Sequence, residues 1–216
     1  MRSVAPGGSE WVLTTELSMN ATDPPARVVL TPSDHRPRKC MNFKETRLKG
    51  AFIVEPDIFE DTRGFLARSW SREEFAARGL DAGLEQCNIS FNHRQGTLRG
   101  MHFQIAPFGQ TKLVRCTMGA IHDVIIDLRP ESPTFRQWVG VDLTARNRLM
   151  LYVPRDFAHG FLTLEGETEV FYQISEIYAP ESERGVRWND PAFGISWPDE
   201  VRIVNERDQT YSDFEG

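Results

Sequence analysis

The stretch that decides the fold runs from Thr111 to Leu128 and reads TKLVRCTMGAIHDVIIDL. Val, Ile and Leu recur on both sides of Gly119. Residues with branched apolar side chains favour β-strands, and a glycine between two such runs is typical of a turn. We therefore predict two strands that meet at Gly119.

Further strands are indicated on the C-terminal side. Polarity alternates along Thr168–Tyr178, so one regular strand would turn Tyr172 and Tyr178 to the same face. Another apolar run, Asn147–Val153, is closed by Pro154. Many short strands separated by Gly, Pro and Asp are typical of a β-sandwich or barrel. The predicted fold class is all-β.

One short helix is predicted in the N-terminal part of this all-β region. Ser71 and Glu74 have the spacing of a capping box, in which two side chains satisfy the open N–H groups of a helix start. Gly79 is typical of a helix end. The predicted helix covers Arg72–Arg78.

Residues 1–40 differ from the rest of the chain. They contain five prolines and a Gly-Gly pair, without sustained periodicity. This composition favours a disordered extension. Regular patterns begin near Met41. The alternative is therefore that the native protein starts at Met41, and that residues 1–40 come from a wrongly assigned start upstream. Residues 41–216 are then the folded domain.

Composition narrows the class of protein. The chain has 216 residues, 40% hydrophobic and 26% charged, with a net charge of −6. This is enough chain for one full core, and an acidic chain is a poor candidate for nucleic-acid binding. Three cysteines fit neither a disulfide framework nor a zinc site. With no apolar run long enough for a bilayer and no signal-peptide core, we expect a cytoplasmic protein without membrane contact.

Two histidines lie in positions suited to chemistry. His159 ends a stretch with Pro154 and Asp156 that resembles the second half of a cupin motif, P-x-G-x-x-H. The first half of that motif supplies an H-x-H pair, but His102–Gln104 reads His-Phe-Gln. One imidazole is missing, so the usual three-histidine metal site cannot form. We expect no metal, and the absence of G-x-G-x-x-G and P-loop motifs indicates no nucleotide cofactor domain.

Seven longer motifs follow one another between Phe52 and Asp208. They read FEDTRGF (59–65), QCNIS (86–90), TLRGMHFQ (97–104), KLVR (112–115), SPTF (132–135), FAHGF (157–161) and WNDP (188–191). Together these motifs resemble the dTDP-4-dehydrorhamnose 3,5-epimerase family. The resemblance implies a cupin-like jelly roll, a nucleotide-sugar substrate, no cofactor and a homodimer in which N-terminal strands reach the neighbour.

The resemblance also implies catalytic roles. The family moves protons at C3 and C5, on either side of the C4 ketone of a 4-keto-6-deoxy sugar. His102 matches the base, Asp208 its carboxylate partner, Tyr172 the acid on the opposite face and Lys112 the group beside the enolate oxygen. Imidazole suits such proton abstraction, inversion needs two groups on opposite faces, and an enolate needs a preorganised positive group.

Other positions match substrate contacts. Tyr178 matches an aromatic residue that stacks on the nucleotide base. Arg68 stands where we expect a glutamate near the substrate, and this charge reversal could alter which sugar nucleotide is accepted. The remaining matches to sugar or diphosphate contacts are Arg63, Gln86, Asn88, Arg99, His159, Glu183 and Arg207.

Three points remain open at this stage. Arg99 and His102 are an odd number of residues apart, so either Gly100 hosts a bulge or Arg99 serves the pocket from another direction. Asp208 lies near the C-terminus, on a segment that could be mobile.

The competing functions are an epimerase acting at one carbon or on another nucleotide sugar, a non-catalytic cupin that binds a sugar nucleotide, and a metal-dependent cupin oxygenase.

Overall fold

The computed structural model describes residues 11–14, 29–32 and 41–215. Strands β1 (Trp11–Thr14) and β2 (Val29–Pro32) form an antiparallel pair in a first compact unit, Met1–Lys39. The remainder of residues 1–40 lies outside the described residues, so the disordered extension and the mis-called start both stay predictions. The second unit, Cys40–Gly216, contains everything discussed below.

The second unit consists mainly of short strands. Its helices are α1 (Arg72–Ala76) and α2 (Glu206–Thr210), with a 3-10 turn at Pro180–Ser182. Its strands are β3 (Asn42–Glu45), β4 (Phe52–Glu55), β5 (Ile58–Asp61), β6 (Gly64–Ala67), β7 (Gln86–Asn92), β8 (Leu98–Gln104), β9 (Lys112–Met118), β10 (Ala120–Asp127), β11 (Trp138–Thr144), β12 (Met150–Val153), β13 (Phe157–Thr163), β14 (Thr168–Ile174) and β15 (Glu183–Gly185).

Two large antiparallel sheets form most of this unit. The five-stranded sheet has the order β11-β10-β13-β8-β15, and the six-stranded sheet has the order β3-β4-β12-β9-β14-β7. Strands β5 and β6 form a separate hairpin. The predicted all-β, cupin-like fold with one short helix early in the domain is confirmed. Neither α1 nor α2, the two helices of the described residues, has the length or apolar content that a membrane crossing requires.

The stretch Thr111–Leu128 supplies one strand to each sheet, which is why it decides the fold. It forms β9 and β10, and the chain crosses between the sheets at Gly119. Gly119 has φ +76°, and a Cβ there would lie 2.3 Å from Thr168 Oγ1. Only glycine is suited to this position. Buried apolar side chains from both strands, such as Val114 and Ile125, meet in one core cluster.

Helix α1 begins as predicted and ends two residues early. Ser71 Oγ accepts a hydrogen bond from Glu74 N at 3.4 Å, and Gly79 has φ +69°. The amides of Arg78 and Gly79 bond three residues back, as in a tight closing turn, so the helix stops at Ala76. The Glu74 carboxylate does not complete the capping box, because it accepts from Met41 N and Arg68 instead.

Two strand boundaries also differ from prediction. Strand β14 ends at Ile174, so the expectation that Tyr172 and Tyr178 share one regular strand is wrong. Strand β12 begins at Met150 rather than at Asn147, because the Asn147 side chain accepts from Thr144 N and closes a turn.

Candidate active site

A cavity lies between the two sheets. Strands β8, β13 and β15 line one side of it, and β7, β9 and β14 line the other. Its volume is ≈ 510 Å³, and an adjoining lobe of ≈ 360 Å³ shares His102, Lys112 and Tyr172 with it. This is the size range of sites for small-molecule ligands.

Most residues singled out from the sequence meet here. Gln86 and Asn88 line the adjoining lobe. The main cavity is lined by Arg99, His102, Lys112, His159, Tyr172, Tyr178, Glu183, Arg207 and Asp208, together with others that the sequence did not single out.

The shortest polar contact at the cavity joins His102 and Asp208. His102 Nε2 lies 2.6 Å from Asp208 Oδ1, and the Gly100 amide donates to Asp208 Oδ2 at 3.0 Å. Asp208 is fully buried, and its amide donates to Asn205 Oδ1 at 2.7 Å. Burial acts to raise the pKa of Asp208, but the bonds from His102 and Gly100 and the charge of Arg207 bring it below its usual value.

This pairing fixes the tautomer of His102. An ionised carboxylate can only accept, so His102 Nε2 donates to Asp208 and Nδ1 is left to take up a proton. Arg207 Nη2 also approaches Nε2, at 3.3 Å. The arrangement is that of a general base oriented by a buried carboxylate.

A bulge in β8 brings Arg99 and His102 to the same cavity. His102 pairs with His159 on β13, and Arg99 pairs with Phe161, so two residues of β8 oppose Gly160 alone. Gly100 has φ +134°, and a Cβ there would lie 2.5 Å from Gly160 Cα. The bulge is therefore the correct one of the two explanations that residue spacing left open.

Tyr172 enters the cavity from the opposite sheet. It lies on β14, whereas His102 lies on β8. Burial raises the pKa of Tyr172, and the charge of Arg99 lowers it only in part. The phenol is thus protonated at neutral pH. A ring bound between the sheets would have His102 on one side and Tyr172 on the other.

Lys112 is a partly buried cation close to His102. Its Nζ donates to the backbone oxygen of His102 at 3.3 Å. Burial lowers the pKa of Lys112 to about 8, against the opposing charges of Asp123 and Glu183. Lys112 lines both the main cavity and the adjoining lobe, so it offers a positive charge to a ligand bound in either.

His159 is held by a carboxylate that the sequence did not single out. Its Nε2 lies 2.8 Å from Asp123 Oδ1, and Asp123 is fully buried in β10. In the sequence, the only indication of a role for Asp123 is its position within an apolar run. A charge in such a run is expected to be buried, and buried charges are usually paired. Strand pairing, which places Asp123 opposite Phe161, was needed to connect it with His159.

Glu183 joins two further residues at the cavity rim. Its Oε2 accepts from Tyr178 OH at 2.7 Å and from Arg207 Nη1 at 2.8 Å. The Tyr178 side chain remains 53% exposed. Tyr178 lies beyond the end of β14 and still reaches the cavity, because Gln104 holds the backbone of Ile177 and Ala179 on either side of it.

Gln104 occupies the position that the second histidine has in a metal-binding cupin. Its side chain is used in hydrogen bonds to the backbone. Its amide donates to Phe108 O at 2.7 Å and to Ile177 O at 3.0 Å. In the described part of the chain, no three His, Cys, Asp or Glu side chains are grouped so that they could hold a metal ion.

Arg63 and Arg68 do not line the cavity of their own chain. Arg63 lies at the turn of the β5–β6 hairpin, where its side chain is 87% exposed and pairs with Asp61. Arg68 Nη1 lies 2.8 Å from Glu74 Oε1 on α1. The substrate contacts of these two arginines therefore stay predictions.

Comparison with known proteins agrees with the motifs. The family model described as dTDP-4-dehydrorhamnose 3,5-epimerase matches residues 45–216. A protein of that name from Sinorhizobium fredii is 40% identical over 171 residues, which cover 79% of this chain and 88% of the relative.

Solved structures give the same result. The epimerase of that name from Bacillus anthracis, with TDP and PPi bound, is 41% identical with a TM-score of 0.78, covering 81% of this chain and 100% of that one. A dTDP-6-deoxy-D-glucose-3,5-epimerase from Legionella pneumophila, in complex with dTDP-4-keto-L-rhamnose, is 36% identical with a TM-score of 0.73, covering 78% and 90%. This chain belongs to the dTDP-4-dehydrorhamnose 3,5-epimerase family.

Proposed function

We propose that this chain converts dTDP-4-dehydro-6-deoxyglucose into dTDP-4-dehydrorhamnose by inverting C3 and C5, as a step of deoxysugar biosynthesis in the cytoplasm. The observation that carries the proposal is the His102–Asp208 pair at 2.6 Å, with His102 on one sheet of the cavity and Tyr172 on the other. Family membership and the nucleotide-sugar ligands of the related structures support the substrate class.

Each inversion is a pair of proton transfers. His102 Nδ1 takes the proton from the carbon beside the C4 ketone, and the C–H electron pair moves into an enolate whose oxygen becomes negative. The Lys112 ammonium stabilises that oxygen. Tyr172 then gives its phenolic proton to the opposite face of the carbon, and exchange with water restores both groups. Only protons move, so we propose no cofactor and no metal.

The polar lining of the cavity fits a sugar linked to a diphosphate. Arg99, His159 and Arg207 offer donors to phosphate and sugar oxygens, and Arg99 is held in place by Asn92 at 2.8 Å. Gln86 and Asn88 offer amides in the adjoining lobe. We assign base stacking to Tyr178, because its ring is half exposed at the rim and its hydroxyl is fixed by Glu183.

We propose that Arg63 and Arg68 act on the substrate of a partner subunit in a homodimer. The hairpin that carries Arg63 exposes four large apolar residues, Ile58, Phe59, Phe65 and Leu66, the last at 75%. Grouped apolar exposure of this kind is typical of a surface that is covered in an assembly.

Two variants test the assignment of base and acid. We expect His102→Ala to lower kcat by about 10²–10⁴-fold, the usual contribution of a general base. We expect Tyr172→Phe to lose inversion but to retain exchange of the substrate proton with solvent on the original face, because His102 still abstracts it.

The matched control is Tyr152→Phe, which removes a buried hydroxyl bonded to Asp81 N, away from the cavity. That variant should epimerise normally. The assignment would be abandoned if His102→Ala and Tyr172→Phe both turned over like the unaltered chain.

A second candidate, an epimerase for a different nucleotide sugar or for a single carbon, is motivated by Arg68 in place of an expected glutamate. Arg68 pairs with Glu74, so the charge reversal is partly absorbed within the chain. A panel of 4-keto sugar nucleotides followed by NMR separates the two: a higher kcat/KM on another nucleotide or inversion at one carbon would favour this second function.

A further inference from the structure

Tyr211 contacts the base from outside the cavity. It follows α2 directly, and its ring lies edge-to-face against the His102 ring, with 6.3 Å between centroids and 70° between planes. Residues that line the cavity do not include Tyr211. Tyr211 therefore contacts His102 without itself lining the ligand space.

The space that Tyr211 occupies is created by a glycine. Gly185 on β15 lies directly opposite His102 on β8. Side chains of directly opposed residues contact each other across an antiparallel pair, so a larger residue at 185 would pack beside His102. A Cβ on Gly185 would instead lie 2.1 Å from Tyr211 Cζ. The ring of Tyr211 thus fills the slot that the missing side chain leaves.

The same segment carries the partner of the base. Asp208 lies three residues before Tyr211, within a helix of only five residues. A helix this short does not hold its own shape. Asn205 fixes its start by accepting from Asp208 N at 2.7 Å, and the Tyr211 ring in the slot fixes its end. The chain after Tyr211 is also held, because Phe214 N donates to Asp190 Oδ2 at 2.7 Å.

We infer that Tyr211 is a positioning residue, which holds the His102 ring and keeps Asp208 on it, and that Gly185 is the socket for its ring. This inference rests on the proposed function, in which His102 is the base. The aromatic ring of Tyr211, rather than its hydroxyl, provides this positioning, because the edge-to-face contact and the fit over Gly185 both involve ring atoms.

The test compares four variants. We expect Tyr211→Ala to lower kcat by about 10- to 100-fold with KM little changed, since small displacements of a base or its orienting partner cost this much. Tyr211→Phe keeps the ring and should stay within about threefold of the unaltered chain. Gly185→Ala should resemble Tyr211→Ala, because its methyl group displaces the ring. The double variant Gly185→Ala/Tyr211→Ala should be no worse than either single variant, because the two changes act on one contact.

A second readout does not depend on turnover. The proton between His102 Nε2 and Asp208 should give a downfield imidazole resonance in ¹H NMR. We expect it in the unaltered chain and in Tyr211→Phe, and its shift or loss in Tyr211→Ala and Gly185→Ala at unchanged melting temperature.

Several results would overturn the inference. These are a Tyr211→Ala variant with normal kcat and resonance, a Tyr211→Phe variant as impaired as Tyr211→Ala, or additive losses in the double variant. If the unaltered chain showed no epimerisation, the proposed function would fail, and the resonance would still decide whether Tyr211 holds the His102–Asp208 pair.

Discussion

Lys112 is a partly buried cation at the position where the proposed reaction builds up negative charge. Burial lowers its pKa to about 8, while Asp123 and Glu183 act in the opposite direction. An ammonium group partly shielded from water stabilises an enolate better than one in bulk water. The same burial means that the charge is lost only a little above neutral pH.

Lys112 predicts an alkaline limit to activity. Since the charged form stabilises the enolate, kcat should fall as pH rises through about 8. The guanidinium group of Lys112→Arg stays charged from pH 6 to pH 10. Whatever activity this variant keeps should therefore not fall near pH 8. A pH profile of kcat from 6 to 10 checks this, and a flat profile for the unaltered chain up to pH 9.5 would contradict it.

Lys112 should also lower the stability of the fold. Its folded pKa lies below its unfolded value of 10.5, so the charged form is the disfavoured one in the folded chain. This cost is fully present below about pH 8 and disappears as pH rises towards 10.5. Lys112→Met should raise the free energy of unfolding at pH 7 by up to roughly 3 kcal/mol and abolish turnover.

Urea unfolding at pH 7 and pH 10 measures this difference. The gain in Lys112→Met should be smaller at pH 10 than at pH 7. A variant less stable than the unaltered chain at pH 7 would show that the Lys112 ammonium is stabilised by its surroundings.

At the scale of elements, the bulge in β8 is the feature on which the site depends most. It turns Arg99 and His102 to one cavity and points the Gly100 amide at Asp208. Gly100 has φ +134° and packs against the backbone of Gly160. No side chain fits there without moving β13.

We therefore expect Gly100→Ala to destabilise the chain by about 1–3 kcal/mol and to lower kcat, because strain and overpacking coincide. Gly109→Ala is the matched control, since its Cβ would meet nothing closer than 3.7 Å and its φ is ordinary. Thermal unfolding and kcat measure both effects. Equal behaviour of the two variants would refute a special role for the bulge.

The elements also show what the sequence could predict. Apolar runs located β9 and β10, and the cap at Ser71 located the start of α1, because these signals are local. Strand ends at Ile174 and Met150 were missed, because side chains such as Asn147 and Gln104 close turns through contacts that spacing does not reveal. The bulge at Gly100 was one of two open explanations until the pairing of β8 with β13 was known.

At the scale of the whole molecule, the site is assembled from six strands and a C-terminal helix. His102 and Asp208 are 106 residues apart in sequence. The family resemblance placed both in one site, but only the fold explains how Asp208 is buried and fixed. Asp123 and Tyr211 escaped prediction because their importance comes entirely from tertiary neighbours.

The proposed dimer makes a prediction about mixed subunits. Arg63→Ala and His102→Ala should each be strongly impaired alone. If Arg63 acts across the interface, mixed dimers contain one intact site, and an equal mixture should recover roughly a quarter of full activity. No recovery after subunit exchange would place Arg63 outside the partner's site.

The first forty residues are predicted to be dispensable. Among the described residues, every side chain that lines the cavity lies after Met41. A chain that starts at Met41 should keep the kcat and KM of the 216-residue chain. A clear loss of turnover would show that the earlier residues contribute to the site or to the fold.

The most direct measurement is ¹H NMR of dTDP-4-dehydro-6-deoxyglucose incubated with the protein in deuterated water, with a reductase present to trap the inverted product. We predict deuterium at both C3 and C5 of a rhamnose-configured product. Binding of the sugar nucleotide without deuterium at either carbon would contradict the account and leave a protein that binds this ligand without acting on it.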